Sequence, residues 1–197
     1  MSRVAMLTDC DDVVTVLGLT PALYRQLLCV HEAGHVIAAD GLGVPVLGAR
    51  LTLNDPEDKR LGYVELGPQP LADGSRLALL GRLIVRAAGA QAAYLWLERR
   101  GTTADLAALR QDPDLFGADD DCTEAAEACA AQPEYGLTPQ AGVVPAAQLL
   151  LARWPAVLRV AYWLGRRERL DGQQLRALLT DADRAAWPGA SRAVVGS

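Results

Sequence analysis

The sequence predicts a mainly α-helical domain with a small β-hairpin or edge-strand element. Hydrophobic residues make up 51% of the 197 residues, but aromatic residues only 5%. This composition favours packed helices, because β-rich proteins draw on aromatic and β-branched side chains. Apolar residues also recur at helical spacing through most of the chain, whereas only two short runs are typical of strands.

Two helices are predicted before the strands. Residues 8–18 could form a short helix that begins in a polar stretch. A clearer helix follows, because Thr20 is a good N-cap and Pro21 suits the first helical position. Apolar and small residues then recur at helical spacing until Gly41, where the pattern ends.

The two strand-like runs are residues 44–53 and 61–66. The polar turn NDPEDKR lies between them, so they are predicted to form a small hairpin or two edge strands. The remainder is predicted to be helical, apart from a weaker pattern between Gly101 and Gly117. The predicted helix starts are Asp73 or Ser75, the acidic residues 119–121, Val144 with a kink or restart at Pro155, and Asp171.

The length suits one folded domain, over residues 20–187. Residues 1–19 are interpreted as an N-terminal segment. Residues 188–197 are interpreted as a disordered tail, because the last residues of a domain are commonly poorly ordered.

Composition argues against several classes of protein. The net charge is −5 and no long basic run occurs, so a nucleic-acid partner is not expected. The four cysteines form no CxxC pair, and no apolar run of signal-peptide length occurs near the N-terminus, which indicates a cytoplasmic protein with reduced thiols. Residues 77–97 are long enough to cross a bilayer, but Arg82 and Arg86 would each cost about 2.5–3.5 kcal/mol there. We therefore expect a buried helix and no membrane span.

The segment LCVHEAGHVIAAD holds the only two histidines of the chain, His31 and His35. Side chains four residues apart lie on one face of a helix, so both imidazoles can reach one metal ion. Glu32 points in a neighbouring direction, where its carboxylate could hold the attacking water. This is the HExxH arrangement of zinc hydrolases, in which Zn2+ polarises a water and the glutamate takes its proton. The alternative is a pair of ordinary histidines at the edge of a helical core.

A third ligand must come from a carboxylate or a cysteine, because no third histidine exists. The three consecutive aspartates stand out, since they open a helix that can be aimed at one point. They could equally serve as a helix cap, because carboxylates at a helix N-terminus complement its dipole. The candidates are Glu57, Glu65, Glu98, Asp119, Asp120 and Asp121.

Longer segments resemble the peptidase domain of the FtsH-type ATP-dependent zinc metalloproteases. VHEAGHVIAAD resembles the HEAGH helix of that family, and GVPVLGARLTLNDPEDKRLGYVEL resembles its substrate-side strands. LIVRAAGAQAA is similar to its AGRAAE helix, and FGADDDCTEAAEACA to the GAxxD segment that opens the next helix. LLLARWPAVLRVAYWLGRRERLDGQQLRALL resembles its C-terminal helices. The resemblance covers about residues 20–180 in the same order, and it implies that residues 20–187 are a mainly helical FtsH-type peptidase-like domain.

The resemblance also implies roles for individual residues. Matched to the family motifs, His31, His35 and Asp121 would bind zinc, and Glu32 would be the catalytic base. The Gly117–Ala118 pair sets the register that selects Asp121 from the three aspartates.

The chain departs from the family pattern in three respects. Ala93 stands where the RAAE motif ends in glutamate, which could remove a supporting contact around the site. The stretch from Gly101 to Leu115 is longer than usual. No P-loop precedes the domain and no N-terminal membrane helix occurs, so we expect a peptidase without its ATPase domain, which does not unfold substrates by its own ATP hydrolysis.

Two functions are compatible with these observations. The first is a zinc-dependent metalloendopeptidase that cleaves small or unfolded proteins, with Glu32 activating a water on zinc. The alternative is a catalytically silent FtsH-like zinc-binding or regulatory module. The expected partners are a peptide or unfolded protein substrate and a separate ATPase, and a homo-oligomer is compatible with the resemblance.

Overall fold

The computed structural model describes residues 18–53, 61–68, 74–101, 119–180 and 183. Several predictions concern residues outside these ranges: nearly all of the short helix at 8–18, the turn at 54–60, the stretch 102–115 and the tail at 188–197. Glu57, Asp73, Gly117 and Ala118 also lie outside the described residues.

The described residues confirm a mainly α-helical fold with a small antiparallel sheet. Helices make up most of the described chain, and three strands form one sheet. In chain order the elements are α1 Pro21–Gly41, β1 Val46–Leu51, β2 Gly62–Leu66, α2 Arg76–Arg100, α3 Asp119–Ala130, α4 Val143–Ala152, α5 Trp154–Arg167, β3 Arg169–Asp171 and α6 Gly172–Leu178.

Helix α1 is the central element of the fold. Its predicted N-cap is confirmed, because the Thr20 hydroxyl accepts a hydrogen bond from the Leu23 amide at 3.3 Å and Pro21 occupies the first turn. Every residue from Leu27 to Ala39 is buried. A helix that is buried on all sides must be surrounded by other elements, and α2, α4, α5, β1 and β2 contact it.

Helix α2 packs against α1 at a crossing made of small residues. Ser75 is its N-cap, with the hydroxyl accepting from the Ala78 amide at 3.1 Å. A Cβ atom at Gly34 would lie 2.4 Å from the Ala88 carbonyl oxygen and 2.7 Å from the Ala92 Cβ. Glycine in the middle of the HEAGH segment therefore permits the close approach of the two helices, despite its low helix propensity.

The sheet has the strand order β2-β1-β3, and both pairings are antiparallel. The predicted pairing of the first two strands is confirmed, with Arg50 opposite Tyr63. The third strand was not predicted. It has only three residues, and the buried Leu170 alone faces the core, so it is too short for an alternating pattern to reveal it.

The C-terminal helices α4 and α5 pack against α1. The chain turns at Arg153 and resumes as α5, so the predicted restart at Pro155 is confirmed. The buried Arg153 guanidinium donates to the Ile37 carbonyl at 3.0 Å and pairs with Asp40 at 2.6 Å, which fixes the end of α1. The predicted helix start at Asp171 is confirmed by a capping box with Gln174.

No single helix in the described part of the chain combines the length and apolarity needed to cross a membrane. One bent pair, Pro139–Ala152 with Trp154–Arg167, meets that criterion jointly by length and composition, with an angle of 85° between its two parts.

Candidate metal centre

Both histidines project from the buried middle of α1 toward α2 and α3. Their side chains are 3% and 8% exposed, and their Nε2 atoms are 3.0 Å apart. The spacing of four residues places them on one face, as the sequence predicted. Two imidazoles this close in a protein interior need a proton or a cation between them, since their nitrogen lone pairs repel each other.

Asp121, in the first turn of α3, completes the group. Its Oδ2 atom lies 3.0 Å from His35 Nε2 and 3.5 Å from His31 Nε2. His31, His35 and Asp121 thus form a group that could hold a metal ion. Three potential ligand atoms converge here from two helices that are distant in sequence.

Gly89 of α2 leaves the space that this group requires. A Cβ atom at position 89 would lie 2.3 Å from His35 Nε2 and 2.5 Å from His31 Nε2. These distances are far below van der Waals contact, so any side chain larger than hydrogen would displace the imidazoles or fill the space beside both nitrogens. The backbone of α2 therefore forms one wall of the candidate metal centre.

The orientation of the His35 ring suits metal binding. Its Nδ1 atom lies 2.8 Å from the Val85 carbonyl oxygen, which can only accept, so Nδ1 carries the proton and donates. In the neutral ring the lone pair is then on Nε2, which faces His31 and Asp121. A second interaction that fixes the tautomer in this way is typical of metal-binding histidines.

The charges of the group are strongly coupled. Burial alone would lower the pKa of His35, but the neighbouring Asp121 carboxylate outweighs burial and raises that pKa to about 9. Burial alone would raise the pKa of Asp121, but the charge of His35 and hydrogen bonds from both histidines hold it well below its usual range. A proton on His35 therefore occupies the position that a cation would otherwise take.

This coupling predicts a pH dependence for protein freed of metal with a chelator. His35, with its raised pKa, contributes stability that is fully present below about pH 6.5 and is lost as the pH rises through about 9. The loss should be on the order of 3 kcal/mol, since a tenfold change in proton affinity corresponds to about 1.4 kcal/mol.

Asp121 contributes stability that is lost only as the pH falls below 3.8, the ordinary pKa of its carboxyl group. Urea unfolding between about pH 5 and about pH 9.5 spans the change expected from His35, and His35→Gln is the control that should flatten the profile. An equally flat profile for the parent protein would contradict the prediction.

Glu32 lies beside the group but is not part of it. The residue is 5% exposed, and a Cβ atom at Gly62 of β2 would lie 2.6 Å from its Oε1 atom. Glycine at the start of β2 thus makes room for this carboxylate. His31, Glu32, His35 and Asp121 all line one cleft of about 590 Å3, a size typical of small-ligand sites.

The other predicted ligand candidates are placed differently. Glu65 and Asp120 line the cleft without belonging to the group, and Glu98 is exposed near the end of α2. The side chain of Asp119 lies outside the described residues, as does Glu57. Burial raises the pKa of the Cys29 thiol to about 11, and this cysteine does not belong to the group.

Several contributors to the site were not predicted from the sequence. Gly89 and Arg86 both belong to α2, where Arg86 donates to Asp121 Oδ1 at 3.1 Å. In the sequence, the arginines of this long apolar run argue only against membrane insertion. The same observation could have indicated a buried acidic partner, because a charge within an apolar helix face requires one.

No protein-family model matches the chain, and no curated protein matches it. The relation to the FtsH-type peptidases therefore stays a prediction from the sequence motifs.

Proposed function

We propose that the protein is a zinc-dependent metallopeptidase of FtsH-peptidase type. The observation that carries the proposal is the convergence of His31, His35 and Asp121 beside Glu32, in the lining of one cleft. A metal site with a purely structural role would need neither the cleft nor the adjacent carboxylate.

The donor set and its spacing support zinc. Two imidazole nitrogens and one carboxylate oxygen are typical of a catalytic zinc site with three protein ligands. Two ligand atoms of a tetrahedral zinc lie roughly 3.3 Å apart, given bond lengths of about 2.0–2.1 Å. The three separations here are 3.0, 3.0 and 3.5 Å, so the group is close to one face of that tetrahedron.

The proposed chemistry divides between the metal and Glu32. Zinc would supply Lewis acidity, which lowers the pKa of water and polarises a peptide carbonyl. Glu32 would take a proton from the attacking water and pass it to the departing amine. The hydrogen bond from His35 Nδ1 to the Val85 carbonyl orients the ring, so that Nε2 faces His31 and Asp121, where the metal would be held.

Strand β2 offers a way to orient a substrate. It lines the cleft, and among the described strands it pairs only with β1, through one edge. An extended peptide could add to the other edge by main-chain hydrogen bonds, which select conformation without selecting sequence. This favours unfolded segments as substrates, and a separate ATPase that supplies them remains part of the proposal.

Metal content tests the proposed ligand set. We expect about one zinc per chain in the parent protein, because the site has three protein ligands, and loss of that zinc in Asp121→Ala. Plasma mass spectrometry of untagged protein after dialysis gives the measurement. Asp120→Ala is a matched control, since this exposed neighbour lines the cleft outside the group. Zinc retained by Asp121→Ala would exclude Asp121 as a ligand. A parent protein that holds no zinc after incubation with the ion would contradict the proposal of a zinc-dependent peptidase.

A further inference from the structure

Arg86 connects the candidate metal centre to the surface of α3. Its Nη1 atom lies 3.1 Å from Asp121 Oδ1, and its Nη2 atom forms an ion pair with Glu124. Asp121 thereby uses its two oxygens differently: Oδ1 faces the arginine, and Oδ2 faces the two histidines. Glu124 lies one turn after Asp121 on α3, so a single guanidinium spans both carboxylates.

This arrangement restricts the rotation of the Asp121 carboxylate. A carboxylate with one oxygen bound to a guanidinium cannot turn about its Cβ–Cγ bond without breaking a charge-assisted hydrogen bond. Its other oxygen is then held where the Nε2 atoms converge. Ligand carboxylates of metal sites are commonly oriented by a hydrogen-bond partner of this kind.

The exposure of these groups argues against a role in stability alone. The side chains of Arg86 and Glu124 are 37% and 49% exposed. Ion pairs at this exposure contribute little to stability, because water screens them and ordering the side chains costs entropy. The Asp121 side chain, in contrast, is 11% exposed. Arg86 therefore affects the orientation of this carboxylate more than it affects the stability of the fold.

We propose that Arg86 is a positioning residue that sets the metal affinity of the centre by holding Asp121, with Glu124 holding Arg86 in turn. This inference rests on the proposed function, since it requires that His31, His35 and Asp121 bind a metal. It adds α2 to the elements that define the site: Val85 orients His35, Arg86 orients Asp121, and Gly89 leaves space between them.

Charge alone predicts the opposite result, which makes the inference testable. A guanidinium near a divalent cation repels it, so removing Arg86 would strengthen metal binding if Arg86 acted only as a charge. If Arg86 acts by orienting Asp121, its removal should weaken binding about 10–100-fold, the usual effect of losing a group that orients a metal ligand.

The experiment compares zinc and cobalt(II) affinities by competition with a chelator, using the full chain. Arg86→Met should bind both ions about 10–100-fold more weakly than the parent. Arg82→Met is the matched control, because this arginine lies one turn earlier on α2 and outside the cleft of the metal centre, and this variant should bind both ions as the parent does.

Arg86→Lys restores one charged donor without the planar fork of the guanidinium, so partial recovery of metal affinity is expected. The visible absorption of bound cobalt(II) reports coordination geometry and should change in Arg86→Met but not in Arg82→Met.

A double variant tests the part assigned to Glu124. Glu124→Gln should weaken binding less than Arg86→Met, and combining the two should add no further loss, because both act through the same carboxylate. Equal or tighter binding by Arg86→Met, in protein whose circular dichroism matches the parent, would overturn the inference while leaving the proposed function intact. A parent protein that binds neither ion would overturn both.

Discussion

Replacing Glu32 by glutamine is expected to abolish peptide hydrolysis while leaving the zinc content unchanged. Glutamine has nearly the same shape, so it still fits against Gly62, where no added side chain would be accommodated. An amide cannot accept the proton of the attacking water at neutral pH, and losing a general base typically slows a reaction about 10²–10⁴-fold. Glu32 does not belong to the metal-binding group, so that group should be unaffected.

The measurement is cleavage of a fluorescently labelled unfolded protein, with zinc content determined on the same samples. Glu98→Gln is the control, because it removes an exposed carboxylate at the end of α2 outside the cleft. A chelator should stop the parent enzyme, and zinc should restore it. Full activity in Glu32→Gln would exclude the glutamate as the base. If the parent binds zinc but cleaves nothing, a zinc-binding or regulatory module becomes the better interpretation.

Replacing Gly89 by alanine is expected to weaken metal binding through the addition of a single methyl group. At most helix positions this change is favourable by about 1 kcal/mol, because alanine has the higher helix propensity. At position 89 the new carbon would lie 2.3 and 2.5 Å from the two Nε2 atoms, so the imidazoles would have to move apart. Overpacking of this kind costs about 1–3 kcal/mol, which corresponds to a loss of roughly 10–100-fold in metal affinity.

Gly81 provides a matched control on the same helix. A Cβ atom there meets nothing within 4 Å, so Gly81→Ala should bind zinc as the parent does and gain about 1 kcal/mol in stability. Zinc affinity by chelator competition and urea unfolding of both variants give the comparison. Parent-like zinc binding by Gly89→Ala would mean that the histidines approach the metal from another side.

The fold was predictable where the sequence carries local signals. Thr20 and Pro21 begin α1, Ser75 begins α2, and Asp171 begins α6, each through a capping arrangement that local sequence encodes. Strand β3 was not predicted, because its three residues are a strand only through their pairing with β1. A segment this short carries no sequence pattern that indicates a strand.

The candidate site was predictable in part for the same reason. His31 and His35 are neighbours on one helix, so their proximity follows from helical geometry. The approach of Asp121 depends on how α3 packs, so the residues alone made it one of six candidates and only the family resemblance selected it. The parts played by Arg86 and Gly89 depend on which face of α2 meets α1, a tertiary property that the composition of α2 does not fix.

The position of the metal group has a mechanical consequence. His35 and Asp121 lie far apart along the chain but within 3.0 Å in space. An ion shared by them would cross-link α1 to α3 and close a long loop, as a disulfide does, and closing loops of such length is worth roughly 3–5 kcal/mol in the chain-entropy description. The ion would then also hold α3 against α1, and this second role would matter most above about pH 9, where the His35 proton that otherwise links the two helices is lost.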